Sequence, residues 1–315
     1  MKKIFILFII VFCFASDFTL MFWNVENLFD ISDDHGKKDG DFMPGGSKRY
    51  TFRAYRLKII HLAQVINHIN PDILAMVEVE NRATLEALKK ELKHTNDWNI
   101  IIENGPDIRG IDPALMYRKD LFSYVHHEYY PVFIKKRGYH SRSILRVDLA
   151  MDRIHDTLSV FINHWPSRRG GKEHSDPFRL YAAEVLLKAI DKTLLEHPNY
   201  RIILTGDFND DKNDKCIDTL SGQKHIEYMT RKKPHKVHGT YYHEGEWVSF
   251  DHFLISNFKG SQLKIDQVEI KAPMWIREKP GHGPFRFYKG MEISGGYSDH
   301  FPVLFKFSIK RKTVE

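Results

Sequence analysis

The chain of 315 residues is 42% hydrophobic and 28% charged, with 18 histidines and two cysteines. Such a composition can bury a full core, and it excludes a disordered, collagen-like or coiled-coil protein; two cysteines also exclude a disulfide framework or a cysteine zinc cluster. The formal net charge of +6 permits an anionic ligand, and any metal would have to bind carboxylates, amides or histidines.

The N-terminal segment has the pattern of an export signal. Two lysines precede an unbroken apolar run over residues 4–12, and small residues stand before a predicted cleavage near Ser16. The run is shorter than the roughly 20 residues that a membrane-spanning helix needs, and no later segment is apolar for long enough. Lipidation of Cys13 is a weaker alternative, because the bulky Phe12 stands where a small residue is normally required.

The rest of the chain shows no repeat, linker or domain boundary. We therefore predict a signal peptide over residues 1–16, a single domain over 17–309 and a basic tail over 310–315. The expected protein is an exported monomer, located in the periplasm or the medium.

After residue 16, short apolar runs alternate with amphipathic segments, which predicts an α/β fold. One helix is predicted over 52–69, ending before Pro71, and a second follows the cap residue Asn81. A third is predicted to start at Ser175 with Pro177 in its first turn. Strands are predicted over 19–25, 72–79, 99–103, 113–118, 144–150, 158–163, 201–205, 248–256, 263–271 and 301–309.

Polar residues stand at the ends of several of these strands. Each one alone is an ordinary strand end or turn, although Asp251 lies inside an aromatic strand, where an unpaired charge would cost several kcal/mol. Glu80 follows Glu78 by two positions and so shares its side of the strand. The full set is Asn24, Glu78, Glu80, His164, Asp207, Asn209, Asp251, Asp299 and His300.

Taken together, these segments resemble the endonuclease/exonuclease/phosphatase superfamily. The matching segments are FWNVENLFD, DILAMVEVEN, DIRGIDPALMYR, INHWPSRRGG, ILTGDFND, SFDHFLIS and SDHFPV. The resemblance implies a four-layer α/β sandwich, in which two packed mixed β-sheets are flanked by helices. It also implies a divalent-metal site for phosphate-ester hydrolysis, built by loops at one edge.

The resemblance further implies a set of metal ligands. Glu78 matches the metal-binding glutamate of the family, with Asn24 and Asp299 as its companions. Oxygen ligands favour Mg²⁺ or Mn²⁺, and Ca²⁺ is a further candidate. Glu80 lies outside the motif and receives no role.

The remaining matched residues are implied to carry the proton transfers. His300 would act as the base or as a phosphate contact, with its ring oriented by Asp251. Asp207 and Asn209 would position the water and bind phosphoryl oxygens. His164 matches the histidine that the deoxyribonuclease and sphingomyelinase branches use as an acid.

Arginines near these motifs are candidate phosphate contacts, although they are equally well explained as solvated surface residues. Arg109 lies in a segment that resembles one beside the active site of the family. Arg168 and Arg169 lie in a glycine-bearing basic loop, and Arg179 follows shortly afterwards.

The substrate is the least determined property, because the superfamily uses one core on several phosphate esters. An exported, mildly basic enzyme best fits a nuclease that hydrolyses DNA or RNA in a salt-dependent way. A phospholipid phosphodiesterase is the alternative, with Trp247 or the segment 274–276 as its apolar contact. Asp251 lies in Phe-Asp-His rather than Cys-Asp-Arg, which disfavours an inositol polyphosphate phosphatase. A catalytically inactive binding module is disfavoured because no core ligand is missing.

Overall fold

The computed structural model describes residues 17–135, 138–278 and 283–309. The predicted signal peptide, 1–16, and the predicted basic tail, 310–315, lie outside these residues. None of the helices in the described ranges combines the length and the apolar character that crossing a bilayer would demand.

Two mixed β-sheets pack face to face and carry helices on their outer surfaces, which confirms the predicted α/β sandwich. The first sheet has the spatial order β12 (Arg231–Lys232), β16 (Leu263–Ile270), β19 (Val303–Ile309), β1 (Asp17–Leu28), β2 (Ile73–Val79), β4 (Asp112–Arg118) and β3 (Trp98–Ile101). The second has the order β11 (Ile226–Tyr228), β15 (Asp251–Ser256), β10 (Arg201–Asp207), β9 (Asp156–His164), β8 (Ile144–Met151) and β5 (Ser123–Tyr130).

Helices and short hairpins complete the described fold. The helices are α1 (Phe52–Ile69), α2 (Arg82–Glu91), α3 (Lys172–Glu196) and α4 (Lys215–Ser221). The hairpins pair β6 (Phe133–Ile134) with β7 (Tyr139–His140), β13 (Tyr241–His243) with β14 (Glu246–Val248), and β17 (Tyr288–Lys289) with β18 (Glu292–Ile293).

The alternation of side chains along a strand explains how one buried strand contributes to two apolar clusters, one on each face of its sheet. In β10, Ile203 belongs to the apolar cluster between the sheets, whereas Ile202 and Leu204 pack with residues of α3 and α4 on the outer surface. Successive side chains of a strand point to opposite faces. A continuous apolar run is therefore what a strand covered on both faces requires.

The predicted helix boundaries are right for α1 and α2 and wrong for α3. The Asn81 side chain accepts a hydrogen bond from the backbone N–H of Thr84 and so caps α2. In α3, the Ser175 hydroxyl instead donates to the carbonyls of Gly171 and Lys172. The helix therefore begins at Lys172, and Pro177 lies inside it.

Two further differences concern strands. β5 is absent from the sequence prediction because its exposed, polar side chains lack an apolar face; it is an edge strand that pairs with β8 alone. The predicted strand 248–256 is divided, because β14 ends at Val248 and β15 begins at Asp251.

Candidate active site

The topology brings the predicted site residues to one edge of the sandwich. β1 runs parallel to β2, and β9 runs parallel to β10, whereas β15 and β19 run antiparallel to their neighbours. The ends of the first four strands therefore meet the beginnings of the other two. The cavity at this edge has a volume of about 940 Å³, and its lining includes Asn24, Glu78, His164, Asp207, Asn209, Asp299 and His300.

Asp207 lies at the centre of the cavity and joins the two sheets. Its Oδ2 accepts a hydrogen bond of 3.0 Å from the amide of Asn24, and its Oδ1 accepts one of 3.0 Å from the backbone N–H of Asn209. The Nε2 atoms of His164 and His300 each lie 3.8 Å from Oδ2. Burial and the negative charge of Asp251 raise the pKa of Asp207, although the imidazole of His300 opposes the shift.

Close backbone packing sets this geometry. A Cβ atom at Gly206 would lie 2.2 Å from the carbonyl oxygen of Asn163 on the neighbouring strand. Only glycine allows β9 and β10 to approach this closely beside Asp207. The Gly-Asp pair that signals a turn in the sequence therefore also sets the strand spacing.

His300 and Asp251 form a buried pair, as predicted from the resemblance. Nδ1 of His300 lies 2.8 Å from Oδ2 of Asp251, which stands behind the ring, and the Trp23 indole N–H donates to the His300 carbonyl at 2.8 Å. Burial alone would lower the pKa of His300, but Asp251, Asp207 and Asp299 together raise it to about 10. The imidazole therefore carries both protons at neutral pH, and Nε2–H is a donor toward the cavity.

His164 has the opposite electrostatics. Burial, followed by the positive charges of Arg142 and Arg109, lowers the pKa of this imidazole well below its usual value. Its Nε2 lies 3.6 Å from Oε1 of Glu78. A neutral imidazole can donate one hydrogen bond but lacks the second proton of a general acid.

The predicted metal ligands offer oxygens only. Glu78, the second-last residue of β2, has a left-handed backbone, φ 66°, and its Oε2 accepts a hydrogen bond of 2.9 Å from the N–H of Asn27. Asn24 is buried, and Asp299 lines the same cavity. Two carboxylates and an amide are the donors that Mg²⁺ or Mn²⁺ prefers, so these residues fit a divalent cation.

Two buried ionisable residues that the sequence does not reveal, Glu26 and Lys58, interact electrostatically with Asp299. Glu26 accepts hydrogen bonds from the N–H groups of Phe287 and Tyr288, and the Lys58 ammonium donates to the Tyr297 carbonyl. Burial, together with the charge of Asp299, raises the pKa of Glu26. Burial also lowers the pKa of Lys58. Both residues therefore respond to the charge of Asp299, a predicted metal ligand.

Three of the four predicted arginines lie at the cavity. Arg109 is partly exposed and lies 3.5 Å from Asp107, and Arg169 is exposed on the rim. Arg168 donates to the Asn209 carbonyl at 2.8 Å and lies over the Phe250 ring. All three side chains border the space in which a phosphate would lie.

The fourth prediction, a phosphate contact at Arg179, is wrong. Its side chain is fully buried and does not line the cavity; it pairs with Asp210 at 2.9 Å and with Asp176. The guanidinium also donates to the Ser175 hydroxyl and to the Pro166 carbonyl. Its position four residues after Ser175 on α3 directs it into the protein rather than toward the substrate space.

Arg142 is a cavity residue that the sequence analysis missed. Its side chain is only 8% exposed, donates to the Trp165 carbonyl at 2.7 Å and lies 3.7 Å from Asp107. Its Nε has no hydrogen-bond partner among the described residues. The arginine stands between two serines outside any motif, so its position depends on contacts that the sequence does not reveal.

Tyr241 is a second missed cavity residue. Its ring lies 4.9 Å from the imidazole of His300, and it belongs to the β13–β14 hairpin, which borders the cavity mouth. The hairpin strands are only three residues long. Strands this short show too few alternating positions to be predicted from sequence.

Comparisons with known proteins agree with the fold. The family described as "Endonuclease/Exonuclease/phosphatase family" matches residues 19–309. No match is found among curated proteins.

Solved structures resemble the chain over nearly its whole length. An endonuclease/exonuclease/phosphatase family protein from Bacteroides thetaiotaomicron has a TM-score of 0.63 and 15% identity, covering 94% of this chain and 99% of its own. A mannosyl-6-phosphatase from the same species has a TM-score of 0.62 and 16% identity, covering 92% and 99%. The human Nocturnin catalytic domain, solved with a bound sulfate anion, has a TM-score of 0.62 and 13% identity, covering 94% and 97%. At these identities the likeness is one of fold.

Proposed function

The chain belongs to the endonuclease/exonuclease/phosphatase family, a family of phosphoester hydrolases, and we propose that it is a divalent-metal-dependent phosphodiesterase that cleaves nucleic acid. The observation that carries the proposal is the composition of the cavity. Oxygen donors for a cation, a doubly protonated imidazole and four arginines border one space of about 940 Å³. A binding module without catalysis would have no need for the buried Asp251–His300 pair.

Glu78, Asn24 and Asp299 are the residues that would hold the cation. When bound, a divalent cation neutralises charge on phosphoryl oxygens and stabilises the leaving oxygen. The carboxylates at this edge account for the expected metal dependence.

Asp207 is better suited than His300 to remove the proton of the attacking water. Burial raises the pKa of Asp207, which makes the carboxylate a stronger base than an ordinary aspartate. His300 already carries both protons, so it is better suited to donate a hydrogen bond to a phosphoryl oxygen. Asn209, whose backbone N–H holds Asp207 in place, completes the water site.

His164 and Arg142 would complete the phosphate contacts. Neutral His164 can donate one hydrogen bond, and it becomes an acid only if a bound phosphate raises its pKa. Arg142 is held by the Trp165 carbonyl beside it. Its guanidinium is pre-organised for an anion because its neighbours fix the side chain.

The charge of the cavity favours nucleic acid over a phospholipid. Arg109, Arg168 and Arg169 follow its rim, where successive phosphates of a polynucleotide would lie. The predicted apolar contacts for a lipid do not line the cavity: Trp247 stacks on Phe301, and Trp275 packs against His68 and Tyr297.

We also propose that the protein is exported, on the strength of the N-terminal segment. Expression of the whole chain and of residues 17–315 in a Gram-negative host, followed by cell fractionation, tests export. The whole chain should reach the periplasm with a mass reduced by residues 1–16. Cytoplasmic retention of an uncleaved chain would contradict it.

The function is tested by incubating residues 17–315 with four substrates: plasmid DNA, RNA, sphingomyelin vesicles and mannose 6-phosphate, each with Mg²⁺ or EDTA. His300→Ala is compared with His126→Ala, a control with the same side-chain change at an exposed position on β5. We expect EDTA-sensitive cleavage of DNA or RNA that His300→Ala loses and His126→Ala retains.

Other outcomes distinguish the alternatives. Turnover of sphingomyelin alone would replace the substrate with a phospholipid, and turnover of mannose 6-phosphate alone would replace it with a sugar phosphate. Hydrolysis that His300→Ala retains would contradict the assignment of the site.

A further inference from the structure

A second cluster of carboxylates lies outside the active-site cavity. Asp34, Asp39 and Glu80 each place one side-chain oxygen within 4.8 Å of the other two. Asp34 and Asp39 belong to the loop after β1, and Glu80 directly follows β2. Glu80 is the residue for which the family resemblance supplied no role.

Two of these carboxylates are buried and only partly satisfied. Glu80 and Asp39 are 3% and 1% exposed. The loop donates a backbone N–H to one oxygen of each: Asp30 N–H to Oε2 of Glu80 at 2.6 Å, and Asp34 N–H to Oδ2 of Asp39 at 2.8 Å. The other oxygens, Oε1 and Oδ1, have no hydrogen-bond partner among the described residues and are out of reach of solvent.

Within the described ranges, no positive side chain pairs with this cluster. The salt bridges of those ranges include no Lys, Arg or His nitrogen within 4.0 Å of Asp34, Asp39 or Glu80. The nearby Lys37 ammonium donates to the carbonyls of Gly105 and Asp107 instead. Buried carboxylates without a cation are unfavourable, and such groups pair with a cation, bind a metal or stay protonated. Burial raises the pKa of Glu80 to about 8.

A fourth carboxylate, that of Asp30, stands beside the cluster and adds negative charge. Its oxygens accept hydrogen bonds from the Ser32 N–H and the Asn81 side-chain amide. These bonds shape the loop so that it folds back over the end of β2. The loop therefore concentrates negative charge around two buried oxygens that receive no hydrogen bond from the part of the chain that the structure describes.

We propose that Asp34, Asp39 and Glu80 bind a calcium ion at a site separate from the catalytic one. All donors are oxygens, two of them on an irregular loop, and Ca²⁺ accepts six to eight oxygens in flexible geometry, whereas Mg²⁺ demands a near-ideal octahedron. The ion satisfies the two orphaned oxygens and ties the loop to the chain two residues beyond Glu78. This site is independent of the substrate assigned above.

The test is calorimetric titration of the purified, chelator-stripped protein with CaCl₂. Glu78→Gln serves as the background because it removes a predicted ligand of the catalytic site. In that background we expect one Ca²⁺ per chain, an affinity at least 10-fold weaker with Asp34→Asn, and loss of binding with Asp39→Asn. Asp33→Asn is the matched control: an exposed residue of the same loop with the same charge change, expected to bind as the background does.

Thermal unfolding supplies a second readout that does not depend on activity. Calcium should raise the unfolding temperature of Glu78→Gln and of Asp33→Asn, because a ligand that binds only the folded state stabilises it. The rise should be smaller with Asp34→Asn, whose partly exposed side chain can be changed without disturbing the core.

Three results would overturn the proposal. They are absence of calcium binding in Glu78→Gln, equal calcium affinities in Asp34→Asn and Asp33→Asn, and binding of MgCl₂ as tight as that of CaCl₂.

Discussion

The carboxylates of the active-site cavity and those of the proposed calcium site differ in which groups balance their negative charge. Asp207 and Asp251 share a protonated imidazole, and arginines line the cavity in front of them. Asp34, Asp39 and Glu80 have no such partner among the described residues. The first cluster is suited to move a proton and hold an anion, whereas the second is suited to bind a cation. The positive groups next to a carboxylate cluster thus determine which chemistry the cluster is suited to.

The largest expected effect separates the two clusters by activity. His300→Ala should lower kcat about 10²- to 10³-fold on whichever substrate the protein hydrolyses, because it removes the hydrogen-bond donor beside Asp207 that is proposed to contact the phosphoryl oxygen. Asp34→Asn, assayed with saturating Mg²⁺ and Ca²⁺, should stay within about 3-fold of wild type, because it touches no reacting atom. Steady-state kinetics provides the measurement. Equal losses in the two variants would mean that the clusters form one catalytic unit.

A smaller loss is expected when the positive side of the cavity is reduced. Arg142→Met should lower kcat/KM about 10- to 100-fold, because a hydrogen bond to a charged group contributes about 1.5–3 kcal/mol. Arg169→Met, which removes an exposed arginine from the rim of the same cavity, should lower kcat/KM by a smaller factor. Kinetics and circular dichroism of both variants test this difference. A larger loss at Arg169 would show that the rim, rather than the buried arginine, binds the phosphate.

A change of sign is expected for the stability of the second cluster. With EDTA present, Asp34→Asn should unfold at a temperature equal to that of wild type or about 2 °C higher, because it relieves repulsion between carboxylates. With calcium in place of EDTA, the same variant should unfold below wild type. Differential scanning calorimetry under both conditions decides the matter, and a variant less stable in both buffers would contradict the repulsion argument.

The smallest expected effect concerns Asp210, a carboxylate that is already paired. Asp210 accepts a hydrogen bond from the buried Cys216 thiol and pairs with Arg179, and burial raises the pKa of that thiol. Iodoacetamide should therefore leave Cys216 of the folded protein, residues 17–315, unmodified. It should label the residue fully in urea, as measured by mass spectrometry. Rapid labelling of the folded protein would show that this network opens.

The parts of the site that the sequence predicts are those fixed by strand order. Asn24, Glu78 and Asp207 lie in the last part of their strands, and His300 lies just before β19; the parallel and antiparallel pairing of these strands brings the four residues to one edge. The bounds of α1 followed in the same way from helical periodicity and the residues at its ends. Local pattern and topology suffice where one element determines the position of a residue.

Where two distant segments determine a position, the sequence gives no such guide. Arg142 faces the cavity and Arg179 faces the interior because of contacts with Asp107 and Asp210, which lie far away along the chain. The proposed role of Glu80 depends on the loop after β1, which folds over it and donates a hydrogen bond to it. The roles of His300 and Asp207 likewise depend on burial and on neighbouring charges rather than on residue type.

The left-handed backbone of Glu78 has a consequence for how this protein could change. That conformation costs about 1–2 kcal/mol for a residue with a Cβ and little for glycine. Glu78→Gly should therefore yield a more heat-resistant protein that has lost a predicted metal ligand. A variant library selected only for survival at high temperature would be enriched in glycine at this position. Thermal stability and the proposed catalysis thus favour different residues at this one position.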